Sequence, residues 1–162
     1  MKTKFLCFSR ASSNRFNIIL CAAALMLGGI IYLLFRPSET LFLKWIQTAG
    51  LDNWTHLARQ KSLSLNLHLP EWILYSLPNG LWAFAYALLI TCIWSGSKSW
   101  LRYFWMASIP ILIQGYEILQ FTGTIPGIFC MQDIGLGTVG LITGIIVGTK
   151  TMKTANHEKT SE

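Results

Sequence analysis

Charge is scarce in this sequence. Only 12% of its 162 residues are Asp, Glu, Lys or Arg, whereas 52% are apolar. A soluble domain carries about twice that charged fraction, so the composition argues against a soluble globular protein. The basic residues are spread through the segments that separate apolar runs and form no concentrated patch. We therefore interpret them as signals of membrane topology and expect no nucleic-acid partner.

The sequence also lacks the patterns that metal centres, disulfide frameworks and active sites require. Its four cysteines include no Cys-x-x-Cys pair, and its three histidines are scattered along the chain. No nucleophile has an adjacent base, and no glycine-rich loop suits a phosphate group. We expect no metal, no cofactor and no catalytic residue, so enzymatic activity is not supported. The cysteines are Cys7, Cys21, Cys92 and Cys130.

Four apolar runs are present instead. The first, at residues 16–35, has about 20 residues without a charge, which is enough for a helix to cross a bilayer. It is longer than the apolar core of a signal peptide, and no small-x-small cleavage site follows it, which favours an uncleaved anchor. The other runs cover roughly residues 72–94, 100–121 and 134–148. Together they predict an all-α polytopic membrane protein with four transmembrane helices.

The distribution of basic residues predicts the orientation. With four crossings, both termini and the 95–100 loop lie on one side, and the positive-inside rule makes this side the cytoplasm. We predict a multi-pass protein of the plasma (inner) membrane, with an N-terminal tail at 1–15, a transmembrane domain at 16–149 and a polar tail at 150–162. The cytoplasmic side would hold Lys2, Lys4, Arg10, Arg15, Lys98, Arg102, Lys150, Lys153 and Lys159, and the outer side only Arg36, Lys44, Arg59 and Lys61.

The longest predicted loop lies between the first two spans, on the outer side. Ser38 suits a helix N-cap, and apolar residues with helical spacing follow it, so we expect a short helix lying in the membrane interface over about residues 38–46. Leucines then alternate at 63, 65, 67 and 69, which indicates either a strand or an extended stretch on the membrane surface.

Polar residues inside the predicted spans form the candidate binding site. Gln114, Glu117 and Gln120 recur every three residues and fall within an arc of about 120° on one helix face. Asn79 and Asp133 lie towards the same outer ends of their spans. A carboxylate costs about 2.5–3.5 kcal/mol at the centre of a bilayer, so two acids in apolar segments need an explanation. They either hold the helices together by hydrogen bonds or line an outward-facing polar site, and the convergence of five residues favours the site.

The fourth span carries a row of glycines with helical spacing. Such rows allow helix backbones to approach closely in a membrane, so we interpret this one as a packing surface. Asp133 lies one turn before the row and would therefore project into the protein rather than into lipid. The row consists of Gly137, Gly140, Gly144 and Gly148.

These residues resemble the VanZ-like family of small integral membrane proteins. The pattern Glu-x-x-Gln at 117–120, the aspartate at 133 and Gly140 match the family's motif, and "SLPNGLW" at 76–82 is similar to a motif of one of its branches. The resemblance covers about residues 72–148. The family's asparagine falls on Gly137 here, and a further aspartate falls on Cys130.

The resemblance implies a function in the cell envelope. VanZ-like proteins are associated with resistance to glycopeptide antibiotics of the teicoplanin type. By resemblance, we expect the outward-facing site to bind a lipid-linked or envelope-derived polar group. Two alternatives stay open: a small, proton-coupled carrier in which Glu117 titrates, which would need to form a homo-oligomer, and a scaffold or immunity subunit that uses the glycine row to contact its partner.

Overall fold

The computed structural model describes residues 2–35, 48, 50, 52–64, 69–94, 97–125 and 129–157. Within these ranges the chain is helical and contains no β-strand, which confirms the predicted all-α class. The helices are α1 (Lys2–Phe35), α2 (Asp52–Ser64), α3 (Glu71–Tyr75), α4 (Leu77–Trp94), α5 (Leu101–Phe121) and α6 (Met131–His157).

Three of these helices are long and apolar enough to cross a membrane. The qualifying segments are Arg15–Phe35 of α1, Leu77–Trp94 of α4 and Met131–Met152 of α6, among the residues that the structure describes. They support the prediction of a membrane protein. Helix α5 is not among them, although it has 21 residues, because Gln114, Glu117 and other polar side chains lower its hydropathy.

Helix boundaries differ from the apolar runs in several places. Helix α1 already begins at Lys2, so the segment predicted as an N-terminal tail is helical, and α6 extends past the 134–148 run at both ends. Backbone hydrogen bonds, rather than hydropathy, decide where a helix ends, and lysines are favourable near a helix C-terminus. Leu63 belongs to α2 and is not extended. The predicted interfacial helix at 38–46, together with Leu65 and Leu67, lies outside the described residues.

The second apolar run is interrupted at Ser76, which separates α3 from α4. Pro78 explains the interruption, because it has no N–H to donate to the carbonyl one turn earlier. The chain nevertheless keeps a helical path, since Ser76 N–H donates to the Trp72 carbonyl at 3.0 Å and Gly80 N–H donates to the Ser76 carbonyl at 3.2 Å. Ser76 is buried, and it immediately precedes the segment Leu77–Trp94, which is long and apolar enough to cross a membrane.

Helices α4 and α6 form the most extensive contact in the bundle and run parallel. The glycines of α6 meet the backbone and small side chains of α4, and each glycine further along α6 meets residues further along α4. A methyl group added at Gly140 would collide with the Gly80 carbonyl oxygen, which shows that the two backbones touch. The contacts are Gly140 with Gly80 and Phe84, Gly144 with Phe84, Ala87 and Leu88, and Gly148 with Leu88 and Thr91.

Helix α1 runs antiparallel to α4. Gly28 lies against Trp82, close to the beginning of α4, whereas Asn17 hydrogen-bonds Cys92 near its end. The Tyr32 and Trp82 rings add a tilted contact, with their centroids 5.4 Å apart.

Helix α5 also runs antiparallel to its neighbours. Near its beginning, Ser108 shares a hydrogen bond of 2.8 Å with Tyr86 of α4, and near its end Gln114 reaches α6. Ile109, fully buried, joins α5 to the core residues Ala87 and Ile90 of α4. The four long helices α1, α4, α5 and α6 therefore alternate in direction.

Candidate functional site

Gln114 joins α5 to the first turns of α6. Its Nε2 donates to Thr138 Oγ1 at 2.7 Å and lies 3.4 Å from the Ile134 carbonyl oxygen. Thr138 Oγ1 in turn donates to the same carbonyl at 2.7 Å. The other amide atom, Gln114 Oε1, is buried and has no hydrogen-bond partner in the described part of the chain. Gln114 is therefore anchored through its nitrogen and presents an unused acceptor.

Glu117 lies at the N-terminus of α6. Its side chain is buried, with 6% of its surface exposed, and its Oε2 accepts a long hydrogen bond of 3.4 Å from the Cys130 backbone N–H. Cys130 immediately precedes α6, and its carbonyl accepts from the N–H of Asp133 and of Ile134. The first N–H groups of a helix lack intrahelical partners, and the partial positive charge there favours a carboxylate. The Glu117 carboxylate is thus placed to accept a hydrogen bond at the beginning of α6.

Asp133 projects from α6 towards the groove between α4 and α5. At about 100° per residue, its position falls between Gly140, which packs on α4, and Gly137, which faces α5 near Ile113. Asp133 Oδ1 is buried and, within the described ranges, has no hydrogen-bond partner. The aspartate therefore offers a second unused acceptor beside Gln114 and Glu117.

Ser76 belongs to the same level of the bundle. Gly80 lies against Leu136 and Gly140, so the parallel register of α4 and α6 places the residues just before Gly80 opposite the first turn of α6. Ser76 is only 1% exposed, and its Oγ is another buried oxygen with no partner among the described residues. On the sequence, Ser76 shares a helix face with Asn79 and Tyr86, but it is not among the residues predicted for the site.

Asn79 and Gln120 are not tied to neighbouring helices by side-chain hydrogen bonds in the described ranges. Both side chains are partly exposed. Asn79 follows the buried Pro78 near the beginning of α4, and Gln120 lies one turn beyond Glu117. Ser76, Gln114, Glu117 and Asp133 are polar residues at the end of the bundle where α6 begins, and we call them the outer polar cluster after the orientation predicted for that end.

The glycine row of α6 contacts two neighbouring helices, α4 and α5. Gly140, Gly144 and Gly148 pack on α4, whereas Gly137 faces α5, where an added methyl group would lie 3.1 Å from Ile113 Cγ2 and 3.8 Å from Gln114 Nε2. Because packed helices cross, the neighbour that faces one side of a helix changes along its length. Gly137 therefore makes room for Ile113 of α5, whereas Gln114 would be in ordinary contact with a methyl group at that position.

The chemistry of the outer polar cluster is that of an acceptor-rich site. Gln114 Oε1, Asp133 Oδ1 and the Glu117 carboxylate accept hydrogen bonds, and only the Ser76 hydroxyl can also donate. Buried acceptors without partners cost free energy, so such a cluster fits a group that brings several donors. The described residues include no group of three or more His, Cys, Asp or Glu side chains that could hold a metal ion.

No family model, curated protein or solved structure matches this chain in the three comparisons made with known proteins. The resemblance to VanZ-like proteins therefore rests on the motif residues alone and stays a prediction.

Proposed function

We propose that the chain is a multi-pass membrane protein with four transmembrane helices and both termini in the cytoplasm. The parallel packing of α4 and α6 supports this, because two parallel spans require the chain between them to cross the membrane again. Helix α5 lies in the chain between α4 and α6. Its 21 residues extend about 30 Å, which is the thickness of the hydrocarbon core of a bilayer.

The distribution of charge supports the cytoplasmic assignment. One end of the bundle exposes four basic residues, Arg15, Lys98, Arg102 and Lys150. At this end the apolar segment of α1 begins, α5 begins and α4 ends. At the opposite end, Arg59 of α2 donates its Nε to the Leu33 carbonyl at 2.8 Å, so α2 lies against the end of α1. The interfacial helix proposed for residues 38–46 would belong to the same outer segment.

Site-directed labelling tests this topology. In a variant with its native cysteines replaced, a cysteine placed at Thr124 should react with an impermeant maleimide added outside intact cells, and one placed at Ser97 should not. Both positions lie in connections between helices, and Thr124 is exposed. Labelling of the Ser97 position from outside would overturn the four-span arrangement.

Within this arrangement, the outer polar cluster would bind a polar headgroup that carries several hydrogen-bond donors. The observation that carries this proposal is the set of three buried oxygens without partners, Ser76 Oγ, Gln114 Oε1 and Asp133 Oδ1, at one level with buried Glu117. Sugar hydroxyls and amides are donors of the required kind, and they occur on lipid-linked envelope precursors. The cluster is a binding site in this proposal, and no covalent chemistry is assigned to it.

The VanZ-like motif coincides in part with this cluster. Glu117 and Asp133 belong to both, Gln120 lies at its edge, and Gly140 holds α6 against α4. A function in the cell envelope, including an association with glycopeptide resistance, therefore forms part of the proposal. Expression in a teicoplanin-susceptible bacterium should raise the inhibitory concentration, and Glu117→Gln should remove that increase while the protein level in the membrane is unchanged.

Ligand binding can be tested directly with a polyprenyl-phosphate-linked N-acetylglucosamine. Wild-type protein in nanodiscs should bind this probe more tightly than the same polyprenyl phosphate without its sugar. Glu117→Gln and Asp133→Asn should each weaken sugar-dependent binding by about tenfold, the range expected when a hydrogen bond to a charged group is lost. Thr143→Val is the matched control on α6, since Thr143 bonds only the backbone of its own helix.

The same variants separate the alternatives. Equal binding by wild type, Glu117→Gln and Asp133→Asn would make the acids structural, as expected for a scaffold. Proton uptake by proteoliposomes that Glu117→Gln abolishes, without sugar-dependent binding, would favour the carrier.

A further inference from the structure

A second polar cluster lies at the opposite end of the bundle, where α1 meets α4 and α6. Asn17 is 2% exposed, and its Nδ2 donates to Thr151 Oγ1 at 2.9 Å and to Cys92 Sγ at 3.2 Å. Its Oδ1 is buried and has no partner in the described ranges. Asn17 thus ties three helices together with its nitrogen, whereas its oxygen is buried without a partner among the described residues.

A cavity of about 150 Å³ lies beside Asn17, between α1 and α4. A dry apolar cavity of about this volume can hold benzene, so it can accept a group of about six non-hydrogen atoms. The Cys21 thiol already donates to the Ala85 carbonyl at 3.4 Å. The cavity is lined by Asn17, Ile18, Cys21, Leu89, Cys92 and Ile93.

The entrance to this cavity faces the surroundings of the bundle. Ile18 is 60% exposed, Ile93 is also 60% exposed and Leu89 is 43% exposed, so three aliphatic side chains border the opening. In a membrane these side chains would contact acyl chains. The cavity therefore combines a lipid-facing entrance with a buried hydrogen-bond acceptor, and an acyl chain alone would leave that acceptor unpaired.

The position of the cavity adds a preference for negative charge. Asn17 is the third residue of the membrane-spanning segment Arg15–Phe35, so it lies near the end of that segment. Arg15 is exposed and lies one turn before Ile18, on the side of the opening. Basic residues next to a span attract anionic lipids. Arg15 is thus placed to meet a phosphate group while the rest of a headgroup enters the cavity.

We propose that this cavity binds the headgroup of a glycerol-type anionic phospholipid. A headgroup hydroxyl donates to Asn17 Oδ1, the phosphate lies near Arg15, and the acyl chains follow Ile18, Leu89 and Ile93. A glycerol group has six non-hydrogen atoms, which matches the available volume. This site uses the membrane placement of the protein and is independent of the outer polar cluster.

Lipid retention by the full-length protein tests the proposal. Delipidated protein in detergent is mixed with phosphatidylglycerol, phosphatidylmethanol or phosphatidylcholine, and the fraction carrying one lipid is measured by native mass spectrometry. Phosphatidylmethanol is anionic but has no headgroup hydroxyl. We expect phosphatidylglycerol to be retained roughly five- to tenfold better than either of the others, the effect of one hydrogen bond to a buried acceptor.

Two isoleucines of α1 provide matched variants that leave the hydrogen bonds of Asn17 in place. Ile18→Trp blocks the cavity and should lower retention of phosphatidylglycerol to the level of phosphatidylmethanol. Ile19→Trp adds the same bulk at a position that is also exposed but does not line the cavity, and it should retain lipid as the wild type does. Equal retention of phosphatidylglycerol and phosphatidylmethanol by the wild type, or equal losses in the two variants, would overturn the proposal.

Discussion

Helix α6 has two interfaces that differ in kind. Towards α4 it presents Gly140, Gly144 and Gly148, and the two backbones touch. Towards α5 it presents its N-terminus, Thr138 and the backbone of Ile134, which receive polar side chains. The first interface is a close contact between backbones, whereas the second joins polar side chains and includes two buried oxygens, Gln114 Oε1 and Asp133 Oδ1, that have no partner in the described ranges. One helix is therefore packed backbone to backbone on one side and joined through polar side chains on the other.

This difference explains why the acids lie where they do. Close backbone packing against α4 fixes the depth of α6, and hence the level of Asp133 and of the N–H group that Glu117 approaches. A site whose polar groups are held by rigid helices is positioned more precisely than one on loops. The packing of Gly140, Gly144 and Gly148 on α4 thus positions the helix that carries Asp133.

The largest effect is expected from Gly140→Ala. Its methyl group would collide with the Gly80 carbonyl oxygen and lie 3.1 Å from the Phe84 backbone nitrogen, and backbone atoms cannot move aside. Overpacking typically costs about 1–3 kcal/mol of the free energy of unfolding, and this contact should reach the upper part of that range. Unfolding of the purified protein in mixed micelles with increasing SDS measures it.

Gly135→Ala is the control for this substitution. Gly135 lies on the same helix, and a methyl group there would meet nothing within 4 Å. Since alanine favours helix over glycine by about 1 kcal/mol, this variant should be as stable as the wild type or more so. Equal destabilisation by the two substitutions would show that α4 and α6 do not pack through their backbones.

A smaller effect is expected from Gln114→Leu, on the other side of α6. The variant loses the hydrogen bond to Thr138 but also removes a buried oxygen without a partner, so the two effects partly cancel. We expect a loss of about 0.5–1.5 kcal/mol in the free energy of unfolding. A double-mutant cycle with Thr138→Val isolates the contribution of this bond. A coupling energy near zero would contradict a specific polar contact between α5 and α6.

The helices of this bundle were largely predictable from the sequence, since their long apolar runs and few charges leave helix as the stable form in lipid. The polar centre was predictable only in part. The spacing of Gln114 and Glu117 indicated a common face, and both do reach α6. The side chains of Asn79 and Gln120 make no hydrogen bond within the described residues.

The burial of Ser76 shows why other features of the polar centre could not be predicted. Ser76 lies opposite the first turn of α6 because α4 and α6 pack in parallel, and this register depends on contacts between glycines that are far apart in the sequence. The ends of α1 and α6 differ from the prediction for a similar reason, because polar residues continue a helix as readily as apolar ones outside the membrane. Apolar runs therefore mark where a chain can cross lipid, whereas side-chain burial depends on the packing of helices that are distant in sequence.

The smallest change in the free energy of unfolding is expected from Gly137→Ala, which adds a methyl group on the side of α6 that faces α5. The added methyl group would lie 3.1 Å from the Ile113 Cγ2 atom, a side-chain atom that can shift, and 3.8 Å from Gln114 Nε2. The gain in helix propensity, about 1 kcal/mol, should offset most of the steric cost, so the free energy of unfolding should change by less than about 1 kcal/mol. Binding of the sugar-linked probe should also be little changed, because a methyl group 3.8 Å from Gln114 Nε2 is in ordinary contact and leaves Gln114 in place. A loss of stability as large as that of Gly140→Ala would mean that α5 packs against α6 as tightly as α4 does. The two interfaces of α6 would then not differ in the way described above.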